Sequence, residues 1–291
     1  MSSDVMPMTE PRPRRQRSQS SGATDAALLF DEPGPRGRIL IAIGSVVAVI
    51  GIAALAAAVL YRLDLAGQLD YPKWRYFLGQ SVVSQLLEAA GTTLTLGGVA
   101  AVLTFPLGIA LGWLRLLDNR PIKWLIGLWI DAMRAVPMLL LVYFFLLVVP
   151  RFATISDFWK LALPIVMCTS ATTAEVFRSG VRALDRGQTE AAAALGMSPS
   201  LTMRLILAPQ ALRLMLPTLI TQMVTIIKGT TLAYVLAYPE LMYRGSTMIG
   251  QAKIDAHLSV FFQTYVIIAV LYIIVNWSLG ALARYIESRT R

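Results

Sequence analysis

From Ile39 to Tyr61 the chain carries no charged residue. About 20 apolar residues in a helix cross the roughly 30 Å hydrocarbon layer of a bilayer, so this run alone points to a membrane. A cleaved leader is the rival, but its apolar region usually covers about 7 to 15 residues behind a short basic start. Here a long polar stretch, residues 1–38, comes first, and a retained helix at 39–61 is expected. Further apolar segments follow at about 86–114, 122–149, 160–181, 206–238 and 259–284. The chain therefore reads as an all-α integral membrane protein with about six transmembrane helices. A content of 56% hydrophobic and 15% charged residues leaves too little polar surface to solvate a 291-residue globule.

The net charge of +9 would suit a nucleic-acid binder, but such a protein has no use for uncharged runs of this length, so no nucleic acid is expected. The charge is better read as topology. With the N-terminus inside, 17 of the 26 Lys and Arg residues fall on the cytoplasmic side, Arg12 to Arg17, Arg115, Arg120, Arg182 and Arg186 among them. The positive-inside rule then places both termini in the cytoplasm. Residues 1–38, rich in Pro, Arg, Ser and Gly, are too polar to bury a core and read as a disordered basic tail that holds topology or touches anionic lipid. Cys168 sits in an apolar segment and reads as a small core residue, and His257 as a loop residue without a second metal-type ligand nearby, so no metal site is expected.

The chain has no catalytic engine of its own. No lysine completes the G-x-x-x-x-G-K-[ST] phosphate loop, and neither HExxH nor a nucleophile elbow occurs. Energy must come from a gradient or from another chain. At 189–217 the sequence TEAAAALGMSPSLTMRLILAPQALRLMLP interrupts the apolar pattern. The alanines favour a short, thin helix, Gly196 can end it in a left-handed turn, and Ser198 can cap the next segment. Small residues on a cytoplasmic helix admit close approach by another protein, with Glu190 as a charge that sets register. An ordinary interfacial helix is the plainer reading of the alanine content alone.

The spacing narrows the choice. Glu190, Ala191 and Ala192, three residues, Gly196, nine residues, then Ile206 and Pro209 resemble the cytoplasmic EAA motif of ABC importer permeases. GTTLTL at 91–96, RAVPMLLLVYFFLLVVP at 134–150, AEVFRSGVRALDRGQTEAAAALGM at 174–197 and IKGTTLAYVL at 227–236 resemble the polar amino-acid branch, and the wording is most similar to glutamate/aspartate permeases. The resemblance spans 86–286. It implies a type I core of five helices working by alternating access, with 39–61 as an extra N-terminal helix and a coupling helix at about 188–200. It also implies partners: a cytoplasmic ABC ATPase dimer that binds ATP and Mg, a second permease subunit, identical or homologous, and a periplasmic or lipid-anchored amino-acid-binding protein. The chain itself is expected to bind no cofactor and to be no enzyme. Ala208 departs from the leucine usual before Pro209. A permease for glutamine or asparagine, a gradient-driven secondary transporter and a membrane scaffold are the alternatives.

Polar residues inside the apolar segments mark a path. Thr218, Thr221, Gln222, Thr225 and Lys228 recur at helical spacing within an arc of about 120°, a face that lipid disfavours. Lys228 within a span is a functional-site candidate, or a side chain that snorkels to the outer surface, and the threonines serve a path or helix packing. Thr172, Glu175 and Arg178 lie on the segment before the EAA stretch, where Glu175 and Arg178 can pair with each other or meet substrate. Asp131 and Arg134 share the same spacing beside Pro137, which can bend the helix and form a gate. The resemblance assigns Arg134 and Arg178 to architecture or gating first. For an anionic amino acid, Lys228 or Arg178 would take the side-chain carboxylate and Glu175 the ammonium group.

Overall fold

The structure, a computed structural model, describes residues 34–290; most of the basic tail expected at 1–38 lies outside the described residues. The described residues fall into two units, divided after Leu65. The described part of the first is a single helix, α1 (Pro35–Leu65), whose apolar side chains, such as Leu40, Val47 and Ile52, are exposed. It has no amphipathic stripe, because Ile, Val, Leu and Ala cover every side, which is the pattern of a helix whose solvent is lipid.

In the second unit, α2 (Tyr71–Arg75) and a 3-10 turn lead into α3 (Gln80–Leu114). Then come α4 (Arg120–Ala135), α5 (Met138–Leu147), α6 (Asp157–Arg182), α7 (Arg186–Ala194) and α8 (Pro199–Thr202). A π turn at Met203–Leu207 joins α8 to α9 (Ala208–Gly229), and a 3-10 segment, Thr230–Leu236, follows. α10 (Leu241–Asp255) and α11 (Phe261–Thr290) complete the chain, with no strand among the described residues. Cys168 is buried and His257 lies in the loop between α10 and α11.

Four described helices are long and apolar enough to cross a membrane: α1, α3, the continuous run Pro199–Leu236, and α11. A fifth span is formed if α4 and the run Met138–Arg151 count as one, although the two halves meet at 95°. The segment expected as one helix at 122–149 is thus broken. Val136 is extended, as residues before proline are, and Pro137 opens the next helix, so the bend falls where proline removes a backbone donor. The fourth expected segment, 160–181, lies within α6. This helix is 26 residues long, yet more polar than α1, α3, α9 and α11, and it is the most buried of the long helices. A helix wrapped by protein has no need to be apolar all round.

α6 forms the axis of the unit, packing against α3 most extensively and also against α4, α5 and α9. Glycine makes the α3 contact close. A Cβ on Gly108 would lie 2.5 Å from Thr173 Cβ and 2.9 Å from the Ser170 carbonyl oxygen. At Gly112 it would lie 2.6 Å from the Ala174 carbonyl oxygen. Without a hydrophobic drive between helices in lipid, such close backbone approach supplies the dispersion contacts that hold them. Across the same seam the buried hydroxyls of Thr104 and Thr169 meet at 2.9 Å. Leu111, Ile130, Ala171 and Ala174 fill one layer, and Phe177, Val181, Ala208, Ala211 and Met215 fill the next. Ala208, the departure from the usual leucine, is buried against Phe177, where a small residue lets α9 approach α6.

Gly112→Ala should lower stability by about 1–3 kcal/mol, the cost of overpacking a close contact, because its Cβ meets backbone that cannot rotate away. Gly98→Ala, with open space around it, should leave the unfolding midpoint in detergent unchanged.

Candidate functional site

Three polar features stand out on this frame. The first is the short helix α7. Asp185 starts it, its carboxylate accepting the Gly187 N–H at 2.8 Å. Its other end closes by two bonds, Gly196 N–H to Ala193 O at 2.9 Å and Met197 N–H to Ala192 O at 3.0 Å. Gly196 has φ +74°, the left-handed position that this pair of bonds requires, and open space surrounds its Cα hydrogens. Ser198 then accepts the Leu201 N–H and opens α8. On α7, Ala192 is buried and faces inward, while Glu190, Ala191 and Gly196 are exposed and Leu195 stands out with 80% of its surface free. Pro209, in the first turn of α9, is exposed as well.

α7 is tied to both neighbours. Only residues 183–185 separate it from α6, and Leu184 packs into the Phe177 layer. Gln210 of α9 donates its side-chain N–H to Gln188 at 3.4 Å. A displacement of α7 therefore reaches α6 and α9 directly.

The second feature is an ion cluster where α3, α4 and α6 meet. Glu175 bonds Arg178 on its own helix through both the Nε, at 3.0 Å, and the second guanidinium nitrogen. Its other oxygen accepts from Arg115 at 2.8 Å. Arg115 reaches on to Asp131 at 3.3 Å, passing Gly127, where a Cβ would lie 3.6 Å from its Nε. Arg115, Glu175 and Arg178 are largely buried, whereas Asp131 is 59% exposed. The Asp131–Arg134 spacing thus resolves differently from the Glu175–Arg178 spacing, because Asp131 turns to Arg115. Arg134 and Pro137 are both exposed at the bend, and Arg134 makes no ion pair among the described residues. A cavity of about 370 Å³ opens beside the cluster, lined by Arg115, Lys123, Trp124 and Arg178 among others. Arg115 escaped the sequence reading because its partners are 16 and 60 positions away.

The third feature is the polar face of α9. Thr218, Thr221, Thr225 and Lys228 are exposed along one stripe, while Gln222 is buried on the flank. Thr221 donates to Pro217 O at 3.2 Å and Thr225 to Thr221 O at 3.0 Å, so the hydroxyl hydrogens serve their own helix and the oxygen lone pairs point outward. Lys228 has no acid partner among the described residues. Thr172, on α6, is half-buried and donates to Cys168 O at 3.2 Å. The structure does not bring the stripe and the ion cluster into one pocket, since Arg178 lines the cavity while Lys228 lies outside its lining.

Sequence reasoning passed over Glu240. It is fully buried beyond the end of the Pro199–Leu236 span. Its carboxylate caps α10, accepting the N–H groups of Met242 at 2.9 Å and Tyr243 at 2.7 Å, and the Tyr272 hydroxyl donates to it at 3.0 Å. Burial pushes its carboxyl above the ordinary carboxylate range, against the pull of those three donors. Its position directly before an amphipathic helix was the available signal for a capping acid.

Residues 104–291 match the family model described as binding-protein-dependent transport system inner membrane component. The probable glutamine ABC transporter permease protein GlnP of Bacillus subtilis is 33% identical over 198 residues, 68% of this chain and 89% of that one. The glutamate transport system permease protein GluD of Corynebacterium glutamicum is 34% identical over 230 residues, 77% of this chain and 82% of that one. Among solved structures, an amino acid ABC transporter with histidines superposes with a TM-score of 0.65 at 24% identity, covering 72% of this chain and 95% of that one. The helices long enough to span a bilayer, the shared architecture and the match over most of the chain make it a multi-pass membrane protein that belongs to the family of binding-protein-dependent transport system inner membrane components.

Proposed function

We propose that this chain is the transmembrane permease subunit of an ATP-driven, binding-protein-dependent importer of acidic amino acids, glutamate and aspartate. The observation that carries the reading is α7: a helix capped at both ends, anchored through Ala192 and Gln188, that presents Glu190, Ala191 and Leu195 to whatever lies outside this chain. The outer face of this helix meets nothing among the described residues. An ATPase groove gives it a partner, and ATP with Mg would then sit on that second chain.

In this reading an amino-acid-binding protein, periplasmic or lipid-anchored, delivers the substrate to the outer face. ATP binding closes the ATPase pair and displaces α7, with Glu190, Ala191, Ala192, Gly196 and Pro209 at or near the contact. The push passes through residues 183–185 to α6 and through Gln210 to α9, and the path turns from inward-facing to outward-facing. Hydrolysis resets it. The stripe of Thr221, Thr225 and Lys228 favours a second permease copy, because a polar face turned to lipid is costly while one turned to a shared aqueous path is not. Both termini then lie in the cytoplasm, an orientation that the Lys and Arg distribution supports.

The substrate groups have counterparts in the chain. Lys228, without an acid partner among the described residues, is the cation free to take a side-chain carboxylate, whereas Arg178 is held by Glu175. Glu175 already serves two guanidinium groups and has little capacity left for an ammonium group. The pair, with Thr172 a turn before it and Gln222 on the flank of the stripe, lines the route, and Arg134 and Pro137 form the bend that gates it. The named relatives act on glutamine in one case and glutamate in the other, and the preference for acidic substrates rests on Lys228 and on the sequence resemblance.

Gly196→Asp should reduce uptake and ATPase association at least tenfold while the chain still inserts. Its own conformational cost is about 1–2 kcal/mol at a left-handed position, and no internal contact is lost. Normal uptake by that variant, in vesicles with the ATPase and binding protein, would sink the coupling role of α7.

Thr221→Leu with Thr225→Leu should leave thermal stability in detergent unchanged or raise it, yet cut uptake about tenfold; unchanged uptake would mean that the stripe faces lipid. Lys228→Ala should weaken stimulation of ATP hydrolysis by glutamate and aspartate more than by glutamine. An equal loss for all three would remove the acidic assignment and keep the permease.

A further inference from the structure

Between Lys228 and α10 the chain takes an unusual course. The 3-10 segment Thr230–Leu236 ends at Ala237, which holds φ 53°, a left-handed backbone without glycine. Such strain of about 1–2 kcal/mol persists only where neighbours hold the segment in place. What holds it is a buried polar knot. Glu240 receives Met242 N–H, Tyr243 N–H and Tyr272 O–H. The next residue, Leu241, donates its N–H to Thr93 Oγ1 of α3 at 3.2 Å, and Thr93 donates to Ala89 O. Thr230, fully buried, donates to Ile227 O at 2.7 Å, and the Thr93 and Thr230 hydroxyls stand beside the Tyr272 O–H. α3, the 3-10 segment, the Glu240 loop and α11 meet in these four side chains.

The knot contains an acid and no base. On α10, Arg244 donates its backbone N–H to the Glu240 carbonyl at 2.9 Å, but its guanidinium makes no bond to the carboxylate. Of the elements packed here, α11 reaches the carboxylate with Tyr272, α3 bonds the neighbouring Leu241 N–H with Thr93, and the 3-10 segment sets Thr230 beside Tyr272, and none of these is a cation. Buried carboxylates normally sit beside a cation or lose their charge, because desolvation penalises the ion.

We propose that Glu240 is a protonation-controlled positioning residue, its carboxyl and the Tyr272 hydroxyl forming a two-state hydrogen-bond switch that sets how firmly the segment after Lys228 is held. In the ionised state Tyr272 donates to Oε2. When Oε2 takes one proton from solution, its new O–H donates to the Tyr272 oxygen, and the tyrosine hydrogen turns to the free lone pairs of Thr230 or Thr93. Every hydrogen keeps an acceptor in both states, and one proton enters. The tie of α11 thereby passes from the Glu240 loop to the 3-10 segment itself. Burial raises the carboxyl of Glu240, so the folded chain binds this proton more tightly than the unfolded chain does. The stabilisation it confers is complete below the ordinary carboxylate value and is lost as pH rises through the raised folded value. Acid therefore tightens the segment. The consequence for transport rests on the permease reading; the switch itself does not.

Infrared titration of the full chain in lipid nanodiscs tests the switch directly. The carbonyl stretch of a protonated carboxyl should grow in as pH falls, with a midpoint above the ordinary carboxylate range, and vanish in Glu240→Gln. Tyr272→Phe removes a donor to the ion and should raise that midpoint by about one pH unit, a tenfold gain in proton affinity. A band that survives in Glu240→Gln, or a Tyr272→Phe midpoint that stays put, overturns the proposal. If Glu240→Gln does not fold, the Tyr272→Phe shift decides alone. In liposomes with the ATPase and binding protein, glutamate-stimulated hydrolysis should change at least threefold across the same midpoint and lose that dependence in Glu240→Gln. An identical profile in that variant overturns the positioning role. A wild-type chain that shows the infrared transition but no stimulation at any pH would instead remove the permease reading and leave the switch standing.

Discussion

The close contact of α3 with α6 is what the rest of the structure hangs on. Gly108 and Gly112 bring the α3 backbone against Ser170, Thr173 and Ala174, at distances that no larger residue allows. In lipid, where apolar surface gains nothing by leaving one hydrocarbon for another, this approach supplies the attraction that water supplies in a soluble core. With α6 held, α4, α5 and α9 have a surface to pack on, and Arg115, at the C-terminal end of α3, comes within reach of Glu175.

Because α6 is enclosed by protein, it can carry the polar groups that an exposed span could not. Thr169 and Thr173 donate to carbonyls one turn back, and Glu175 and Arg178 neutralise one another with Arg115. The polar groups of α9 are arranged in the opposite way. Thr221, Thr225 and Lys228 look away from this chain, and what they meet is decided by what lies opposite. Polar residues in the same membrane protein thus do two kinds of work: those on α6 are satisfied within the chain and hold it, and those on α9 are left to be satisfied from outside.

α7 links these halves to the outside. Its alanines give a thin exposed surface, both its ends are capped, and its ties to α6 and α9 lead to both sets of polar residues. The π turn at Met203–Leu207 lies just before Pro209, where the missing N–H already breaks the regular ladder. A turn of that kind can shift register at small cost, and it sits between α7 and the stripe.

Much of this was legible in the residues because it depends on nearest neighbours along the chain. The uncharged run at 39–61 determined a membrane helix, since a single uninterrupted run of that length can satisfy its backbone in hydrocarbon only within itself. Pro137 determined the break in the 122–149 segment, Gly196 and Ser198 determined the C-terminal end of α7 and the start of α8, and the threonine spacing placed the α9 stripe on one face. What the tertiary structure decided was partnership between distant positions. That Asp131 turns to Arg115 instead of Arg134, that Glu175 serves two arginines, and that Glu240 meets Tyr272 across 32 positions all follow from how helices lie side by side. Sequence spacing reports which residues share a face of one helix. Which face of another helix comes opposite depends on where glycine lets two backbones touch, and that is a property of the packed bundle.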